Sequence, residues 1–308
     1  MSLISVCFAV YQNEGALTVL YNKVVKEFES NFPEHEFELI FVNDGSKDNS
    51  FKELLEIRKS TGDERIKIIS FSRNFGQMAA ILAGWHYAKG DAVINMAADL
   101  QDPPEQCVQM IKEWEQGSDI VISYRNSHGT SLMNKITSRI AYKLLLPSVP
   151  KGGFDFVLLG RNAMDAVNSI KERNRVYHYD ILWAGFNVKF IQYEKMERPI
   201  GKSQYNFVKR FGNFMVAFIS VSYLPLRLMT FLGFAFAFVG FLYSIAIIRA
   251  YFIHGTPFQG WAPIMILLLV IGGLIMIMLG VLGEYIWRIY DELKHRPNYV
   301  IKDKIGDI

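Results

Sequence analysis

The sequence predicts an α/β domain with a mainly parallel sheet, followed by an amphipathic helix and two transmembrane helices. Three observations lead to this prediction. Short β-rich apolar runs alternate with segments of helical periodicity over roughly the first 200 residues. A helical stripe of phenylalanines then precedes two apolar stretches, residues 228–253 and 262–287. Each stretch is longer than the ~20 residues that cross the hydrocarbon core of a bilayer.

The alternation assigns the elements of the N-terminal domain in order. The predicted strands cover residues 4–10, 38–42, 66–71, 92–96 and 120–124. The predicted helices between them cover residues 17–28, 51–60, 78–88 and 105–114. A helix near residues 162–171 and a strand near residues 188–193 follow. In such sheets ligands bind at the carboxyl ends of the strands, so the loops at residues 10–13, 43–46, 73–77 and 97–101 are the candidate site.

The distribution of charge predicts how the chain meets a membrane. A net charge of +3 is too small to indicate nucleic acid binding. Basic residues instead flank the apolar stretches, namely Lys202, Lys209, Arg210 and Arg227 before them and Arg288, Lys294, Arg296, Lys302 and Lys304 after them. The positive-inside rule then predicts a multi-pass protein of the inner (plasma) membrane, with the catalytic domain and both termini in the cytoplasm.

The segment between the domain and the apolar stretches carries phenylalanines at helical spacing. Phe207, Phe211, Phe214 and Phe218 share one face, which is typical of a helix lying in the lipid headgroup region. A helix packed on the catalytic domain is the alternative. The predicted organisation is a domain at residues 1–200, an amphipathic connector at 201–226 and a two-helix hairpin with a cytoplasmic tail at 227–308. Cys7 and Cys107 are expected to be small core residues.

Two polar runs carry the candidate chemistry. Asp44 leaves the second strand in an Asn-Asp-Gly-Ser turn, where it can bind a nucleobase or ribose or simply stabilise the turn. Asp99 ends the fourth strand, where its carboxylate, with the Gln101 amide oxygen, can hold Mg²⁺ or Mn²⁺ against a nucleotide diphosphate. Such an ion would neutralise the charge of a leaving nucleoside diphosphate. Asp102, followed by two prolines and Glu105, is predicted to cap a helix.

The order of these motifs resembles the family 2 glycosyltransferases. The motifs are Tyr11 with Asn13 and Glu14, the Asn-Asp-Gly-Ser turn, residues 73–77, residues 99–105, and the later segments 153–156, 172–174, 198–205 and 282–286. The closer resemblance is to the polyprenyl-phosphate branch, which includes dolichol-phosphate mannose synthases and bactoprenol glucosyltransferases. Two features depart from the family pattern. Ala97 stands where the family often has the first Asp of Asp-x-Asp, and Gln12 separates Tyr11 from Asn13.

The resemblance implies a GT-A-type fold and an inverting enzyme. It would move a sugar from a UDP- or GDP-sugar to polyprenyl (undecaprenyl) phosphate, for modification of lipopolysaccharide or cell-wall glycans. Donor-binding positions carried over from the family are Ala9, Tyr11, Asn13, Glu14, Asp44, Asn74, Gln77 and Asp99. Whether Asn13 or Glu14 faces the donor stays open. A homo-oligomer is a further expectation from the family.

The resemblance also places reacting groups. Asp155, with Asp99, matches a catalytic position, either as a base or as a positioning group, although Asp155 can also be a loop aspartate. The candidate ligands of the acceptor phosphate are Arg125, Lys135, Ser138, Arg198 and Lys202. No motif identifies the sugar.

Two other functions compete with this one. A processive polysaccharide synthase would need more membrane spans and a Gln-x-x-Arg-Trp motif, and the sequence has neither. A membrane-anchored nucleotide-binding scaffold without activity is consistent with Ala97, but the retained Asp99, Gln101 and Asp155 favour an enzyme.

Overall fold

The computed structural model describes residues 1–125, 154, 156–172, 175–194, 224–254 and 262–308. They belong to two compact units. The first unit combines Met1–Phe214 with Pro297–Ile308, and the second is Met215–Arg296. The predicted amphipathic stripe lies outside the described residues.

The first unit contains eight strands and six helices among its described residues. The strands are β1 (Leu3–Val10), β2 (Glu36–Asn43), β3 (Ile66–Phe71), β4 (Ala92–Ala97), β5 (Ile120–Arg125), β6 (Phe156–Gly160), β7 (Val188–Tyr193) and β8 (Ile301–Ile305). The helices are α1 (Leu17–Asn31), α2 (Ser50–Thr61), α3 (Gln77–Tyr87), α4 (Glu105–Glu115), α5 (Arg161–Ser169) and α6 (Tyr177–Trp183). Every predicted strand and helix of this unit is confirmed, with shifts of a few residues at the ends.

The strands form one sheet in the order β7-β5-β6-β4-β1-β2-β3-β8. The neighbours β4, β1, β2 and β3 are mutually parallel, whereas β6 and β8 run antiparallel to the strands they pair with. The α/β class and the mainly parallel sheet are therefore confirmed. β6 and β8 are absent from the elements that the sequence predicts, and β8 closes an edge that β3 would otherwise expose.

Apolar side chains on both faces of the sheet build two cores. One face of β1 carries Ile4, Val6 and Phe8 into the cluster under α1, α2 and α4, while Cys7 points into the cluster on the opposite face, under α3. Continuous apolar runs such as β1 are expected where helices cover both faces of a parallel sheet. Cys7 and Cys107 are both buried, as predicted, and burial raises the pKa of each thiol.

The second unit holds two long apolar helices, α7 (Leu224–His254) and α8 (Ala262–Leu293). Both are long and apolar enough to cross a membrane, over windows at Leu226–Tyr243 and Val270–Leu293, and those windows are not buried within the structure. Large exposed side chains such as Phe231, Phe252 and Ile286 leave these surfaces apolar. Near the end of α8, Glu284 Oε1 and Arg288 Nε form a salt bridge at 3.5 Å.

Candidate active site

Four loops meet at one edge of the sheet. Because β4, β1, β2 and β3 are adjacent and parallel, the residues that follow them leave the sheet on the same side. We call the loops at residues 11–16, 44–49, 72–76 and 98–104 together the carboxyl edge. They contain most of the donor positions that the sequence predicts.

Asp44 connects two of these loops. Its side chain accepts hydrogen bonds from the backbone N–H groups of Phe75 at 2.6 Å and Gly76 at 2.9 Å, one on each oxygen. Only 2% of Asp44 is exposed. Burial raises the pKa of Asp44, and the two amides with the charge of Arg73 oppose that rise. Asp44 therefore sets the position of the loop after β3, and each of its oxygens keeps a second lone pair.

The loop after β2 lies directly against the loop after β3. Gly45 has φ +63°, and a Cβ at this position would lie 2.6 Å from the Asn74 backbone nitrogen and closer still to the carbonyl carbon of Arg73. Only glycine satisfies both the backbone angle and the space. The Asn43 side chain completes the joint, because its Nδ2 donates to Ser70 Oγ at 3.0 Å and its Oδ1 accepts from Ser46 N at 3.1 Å.

The loop after β1 is held by side chains from its own turn and from the loop after β2. Asn13 Oδ1 accepts a hydrogen bond from Tyr11 N at 2.9 Å. Both oxygens of Glu14 accept from Asn49, at 2.8 Å from its Nδ2 and 3.1 Å from its backbone N. These bonds lower the pKa of the exposed Glu14. Glu14 thus joins the loop after β1 to the loop after β2. The Glu53 carboxylate, in the first turn of α2, also accepts hydrogen bonds from the backbone N–H groups of Gly15 and Thr18.

The loop after β4 presents the candidate metal ligands. Asp99 and Gln101 are half-buried, and Asp99 Oδ1 accepts a hydrogen bond from Gln101 N at 3.2 Å. Leu100 between them has φ +63° although it is not glycine, and its side chain is buried in the core. Carboxylate and amide oxygens are hard ligands that suit Mg²⁺ or Mn²⁺. Within the described ranges, no cluster of three or more His, Cys, Asp or Glu forms a metal site.

Asp102 does not cap a helix, so that prediction is wrong. The residue at the cap position before α4 is Pro104, whose side chain makes no capping hydrogen bond. Asp102 is instead 1% exposed and accepts hydrogen bonds from Ala97 N at 3.0 Å and from the Tyr193 hydroxyl at 2.8 Å. The carboxylate closes the loop back onto the end of its own strand, and β7 supplies the second donor. It therefore fixes the backbone on which Asp99 and Gln101 lie.

Replacing Tyr193 with Phe should loosen this loop. The substitution removes a hydroxyl that donates to a buried carboxylate, so we expect the free energy of unfolding to fall by about 1.5–3 kcal/mol and activity to fall with it. Thermal unfolding and turnover of the purified protein measure both. Tyr21→Phe is the matched control, because Tyr21 donates to Asp63 at the same 2.8 Å away from the carboxyl edge. Equal losses of activity in both variants would contradict a role for Tyr193 at the site.

The remaining predicted positions divide into described and undescribed ones. Ala9 lies near the end of β1, Asn74 is exposed in the loop after β3, and Gln77 is the exposed first residue of α3. Arg125 is the last residue of β5, where its backbone pairs with Tyr193. Lys135, Ser138, Asp155, Arg198 and Lys202 lie outside the described residues.

Two contacts near the site have no signal in the local sequence. The ring of His178 packs edge-on against the ring of Phe154, with centroids 4.9 Å apart, and Phe154 is next in sequence to Asp155. Tyr299, close to the C-terminal end, stacks on Phe71 at the end of β3. Both join residues more than twenty positions apart, so only the folded chain reveals them.

Residues 5–183 match the model of glycosyl transferase family 2, which is more than half of the chain. The chain is a family 2 glycosyltransferase. The resemblance that the motifs indicated is therefore confirmed. This glycosyltransferase is 36% identical over 306 residues to the bactoprenol glucosyl transferase of Shigella phage SfV, with 98% of each chain covered. It is also 36% identical over 307 residues to the glycosyltransferase YkcC of Bacillus subtilis, covering 98% of this chain and 94% of that one.

Solved structures agree on the fold. The glucosyl-3-phosphoglycerate synthase of Mycobacterium tuberculosis in complex with phosphoglyceric acid superposes with a TM-score of 0.51 at 14% identity, covering 71% of this chain and 80% of that one. A mannosyltransferase from Pyrobaculum calidifontis in complex with GDP-Man and Mn²⁺ gives 0.52 at 12% identity, covering 71% and 64%. The glycosyltransferase unit therefore has the predicted GT-A-type fold.

Proposed function

We propose that this glycosyltransferase transfers a hexose from a nucleotide sugar, with a UDP-sugar as the expected donor, to polyprenyl (undecaprenyl) phosphate. The product is a polyprenyl-phosphate-linked monosaccharide for modification of lipopolysaccharide or cell-wall glycans. The observation that carries the proposal is the similarity to the bactoprenol glucosyl transferase of phage SfV, which spans 98% of both chains. The similarity thus includes the apolar C-terminal helices as well as the sheet domain.

The donor is proposed to bind at the carboxyl edge. Asp44 is proposed to accept from the nucleobase or ribose, and its two backbone bonds leave one lone pair on each oxygen. Tyr11, Asn13 and Asn74 lie on the neighbouring loops of the carboxyl edge, and Gln77 begins the helix that follows one of them. Asn13 Oδ1 and both oxygens of Glu14 already accept hydrogen bonds within these loops, so the contacts do not choose between Asn13 and Glu14 as the residue that faces the donor.

A divalent cation is proposed at Asp99 and Gln101, whose oxygen donors fit Mg²⁺ or Mn²⁺. The Pyrobaculum mannosyltransferase with the same fold was solved with GDP-Man and Mn²⁺. When bound, the ion would neutralise the charge of the leaving nucleoside diphosphate. The hydrogen bond between Asp99 and Gln101 N, the left-handed Leu100 and the buried Asp102 hold this turn in place before the ligand arrives.

The reaction then needs little proton transfer. An oxygen of the lipid phosphate attacks the anomeric carbon from the face opposite the leaving group, the bond to the nucleoside diphosphate breaks, and the configuration inverts. A phosphate monoester with a second pKa of about 6 is mostly dianionic at neutral pH. Asp155 is accordingly proposed to orient the reactants. The basic residues Arg125, Lys135, Arg198 and Lys202, together with the Ser138 hydroxyl, are proposed to bind the acceptor phosphate.

A membrane hairpin is supported by how the chain is connected. β1–β7 precede α7 and α8 in the sequence, and β8 follows them, yet all eight strands belong to one sheet. Both flanking segments must therefore be on the same side of a membrane, and the chain between them must cross it an even number of times. Combined with the flanking basic residues, this favours two crossings with both termini in the cytoplasm.

The transfer assay tests the function. The purified protein is incubated with radiolabelled UDP- or GDP-sugars, undecaprenyl phosphate and Mg²⁺, and label is counted in the organic phase. We expect label to enter that phase with one sugar strongly preferred. Nucleotide binding without any transfer would instead support the scaffold function.

Cysteine labelling tests the topology. In intact cells, Gln259→Cys between the two helices should react with a membrane-impermeant maleimide, whereas Lys302→Cys in β8 should react only after lysis. Cys7 and Cys107 are buried and give little background. Labelling of Lys302→Cys from outside would contradict the cytoplasmic assignment.

A further inference from the structure

The segment that follows α8 enters the sheet domain at the carboxyl edge. Val300 O accepts a hydrogen bond from Ser72 N at 2.9 Å, directly after β3, and Ile301 is in register with Phe71. The Tyr299 ring stacks on the Phe71 ring, with centroids 4.9 Å apart and planes 12° from parallel. The first contacts of this tail are therefore made beside the loop that Asp44 binds.

The stacking continues into that loop. Phe71 is buried and meets the Phe75 ring edge-on, with centroids 5.8 Å apart and planes at 90°. The backbone N–H of Phe75 then donates to Asp44 Oδ1 at 2.6 Å. On the same loop, the Arg73 guanidinium lies 4.1 Å from the Phe75 ring centroid. A continuous line of contacts thus joins Tyr299, Phe71, Phe75 and Asp44.

The Tyr299 ring, at the end of this line of contacts, is partly buried and uncharged. It is half-buried, and burial raises the pKa of its phenol to about 12, so the ring stays neutral at physiological pH. Stacked and edge-on aromatic pairs have directional preferences beyond simple burial. A ring of different shape at residue 299 would therefore change the packing of Phe71 and, through it, the position of Phe75.

We propose that Tyr299 is a positioning residue for nucleotide binding, which acts by holding Phe71 and Phe75 so that the loop after β3 stays aligned with Asp44. The proposal rests on the proposed function only in taking the carboxyl edge as the nucleotide site. It gives the segment after the membrane helices a part in donor affinity, because the residues 297–308 that follow α8 carry the ring.

The same tail supplies a control at its other end. Asp307 Oδ2 accepts a salt bridge from Lys89 Nζ at 2.8 Å, at the amino end of the parallel strands. Asp307→Ala therefore weakens attachment of the tail without touching Phe71, Phe75 or Asp44.

The experiment compares nucleotide affinity among variants of the full chain in detergent. UDP and GDP are titrated against wild type, Tyr299→Leu, Tyr299→Phe and Asp307→Ala, and KM and kcat are measured for the preferred nucleotide sugar. We expect Tyr299→Leu to raise the Kd and the KM about five- to tenfold, with kcat within about twofold. Tyr299→Phe keeps the stacked ring and should match wild type, as should Asp307→Ala.

Each other outcome overturns the proposal. An unchanged Kd in folded Tyr299→Leu would remove Tyr299 from nucleotide binding while leaving the proposed function intact. Equal weakening by Asp307→Ala would assign the effect to attachment of the tail in general. If Tyr299→Leu does not fold, Tyr299→Met, which keeps the volume without the flat ring, decides by the same criterion. If wild type binds neither nucleotide, the proposed function fails and this inference fails with it.

Discussion

Asp99→Asn should reduce turnover at least about 100-fold while leaving the protein folded. The carboxylate is the charged oxygen ligand of the proposed cation, and an amide binds a divalent ion far less well. The fold should tolerate the change because Asn keeps an oxygen that can accept the hydrogen bond from Gln101 N. Chelation of divalent ions with EDTA should abolish wild-type activity to a similar degree, and Mg²⁺ or Mn²⁺ should restore it.

Asp91→Asn is the matched control for this substitution. Asp91 lies just before β4, whereas Asp99 lies just after it. The Asp91 side chain accepts a hydrogen bond from Leu3 N at the opposite edge of the sheet. We expect Asp91→Asn to retain near wild-type turnover in the transfer assay. A near-normal rate for Asp99→Asn, or a metal requirement that the variant leaves unchanged, would remove Asp99 from the metal site.

Asp44→Ala should weaken both nucleotide binding and the fold. The substitution leaves the N–H groups of Phe75 and Gly76 without their buried acceptor, so the free energy of unfolding should fall by about 2–4 kcal/mol. The loop after β3 then loses its anchor, and we expect the Kd for nucleotide to rise at least about tenfold. Isothermal titration at a temperature where the variant remains folded measures the affinity.

Asp48→Ala is the control that separates the effect of Asp44 on stability from its effect on nucleotide affinity. Asp48 lies in the same loop, but its carboxylate accepts from Ser50 and from Glu14 N rather than from the loop after β3. Its removal should cost about 1 kcal/mol, as for the loss of a helix cap, with little change in nucleotide affinity. If both variants bind nucleotide equally well, Asp44 has a structural role alone.

The sequence predicts the parallel part of the sheet well because burial on both faces produces long apolar runs. β3 and β7 have the predicted bounds, and the other parallel strands differ by one or two residues at their ends. β8 is not predicted because its three central residues, Lys302, Asp303 and Lys304, are all charged, which is typical of a solvated tail. Its pairing with β3 depends on residues more than 200 positions earlier, which no local pattern encodes.

The candidate site shows the same division. Asp99, Gln101 and Asp44 follow strands in motifs that are visible in the sequence, and the structure places all three at the carboxyl edge. The role of Asp102 could not be predicted from the local sequence. Its spacing to the prolines and Glu105 indicates a cap, but the hydroxyl that binds it belongs to Tyr193, 91 residues further along the chain. Long-range hydrogen bonds of this kind decide between two locally reasonable roles.

The position of β8 also sets an order of events during synthesis. Residues 301–305 are translated after both apolar helices, so β3 has no partner on its outer side until α7 and α8 have left the ribosome. A nascent chain that has completed α8 but not yet residues 301–305 therefore carries an unfinished sheet. Completion of the glycosyltransferase unit in this way waits for the synthesis of both apolar helices.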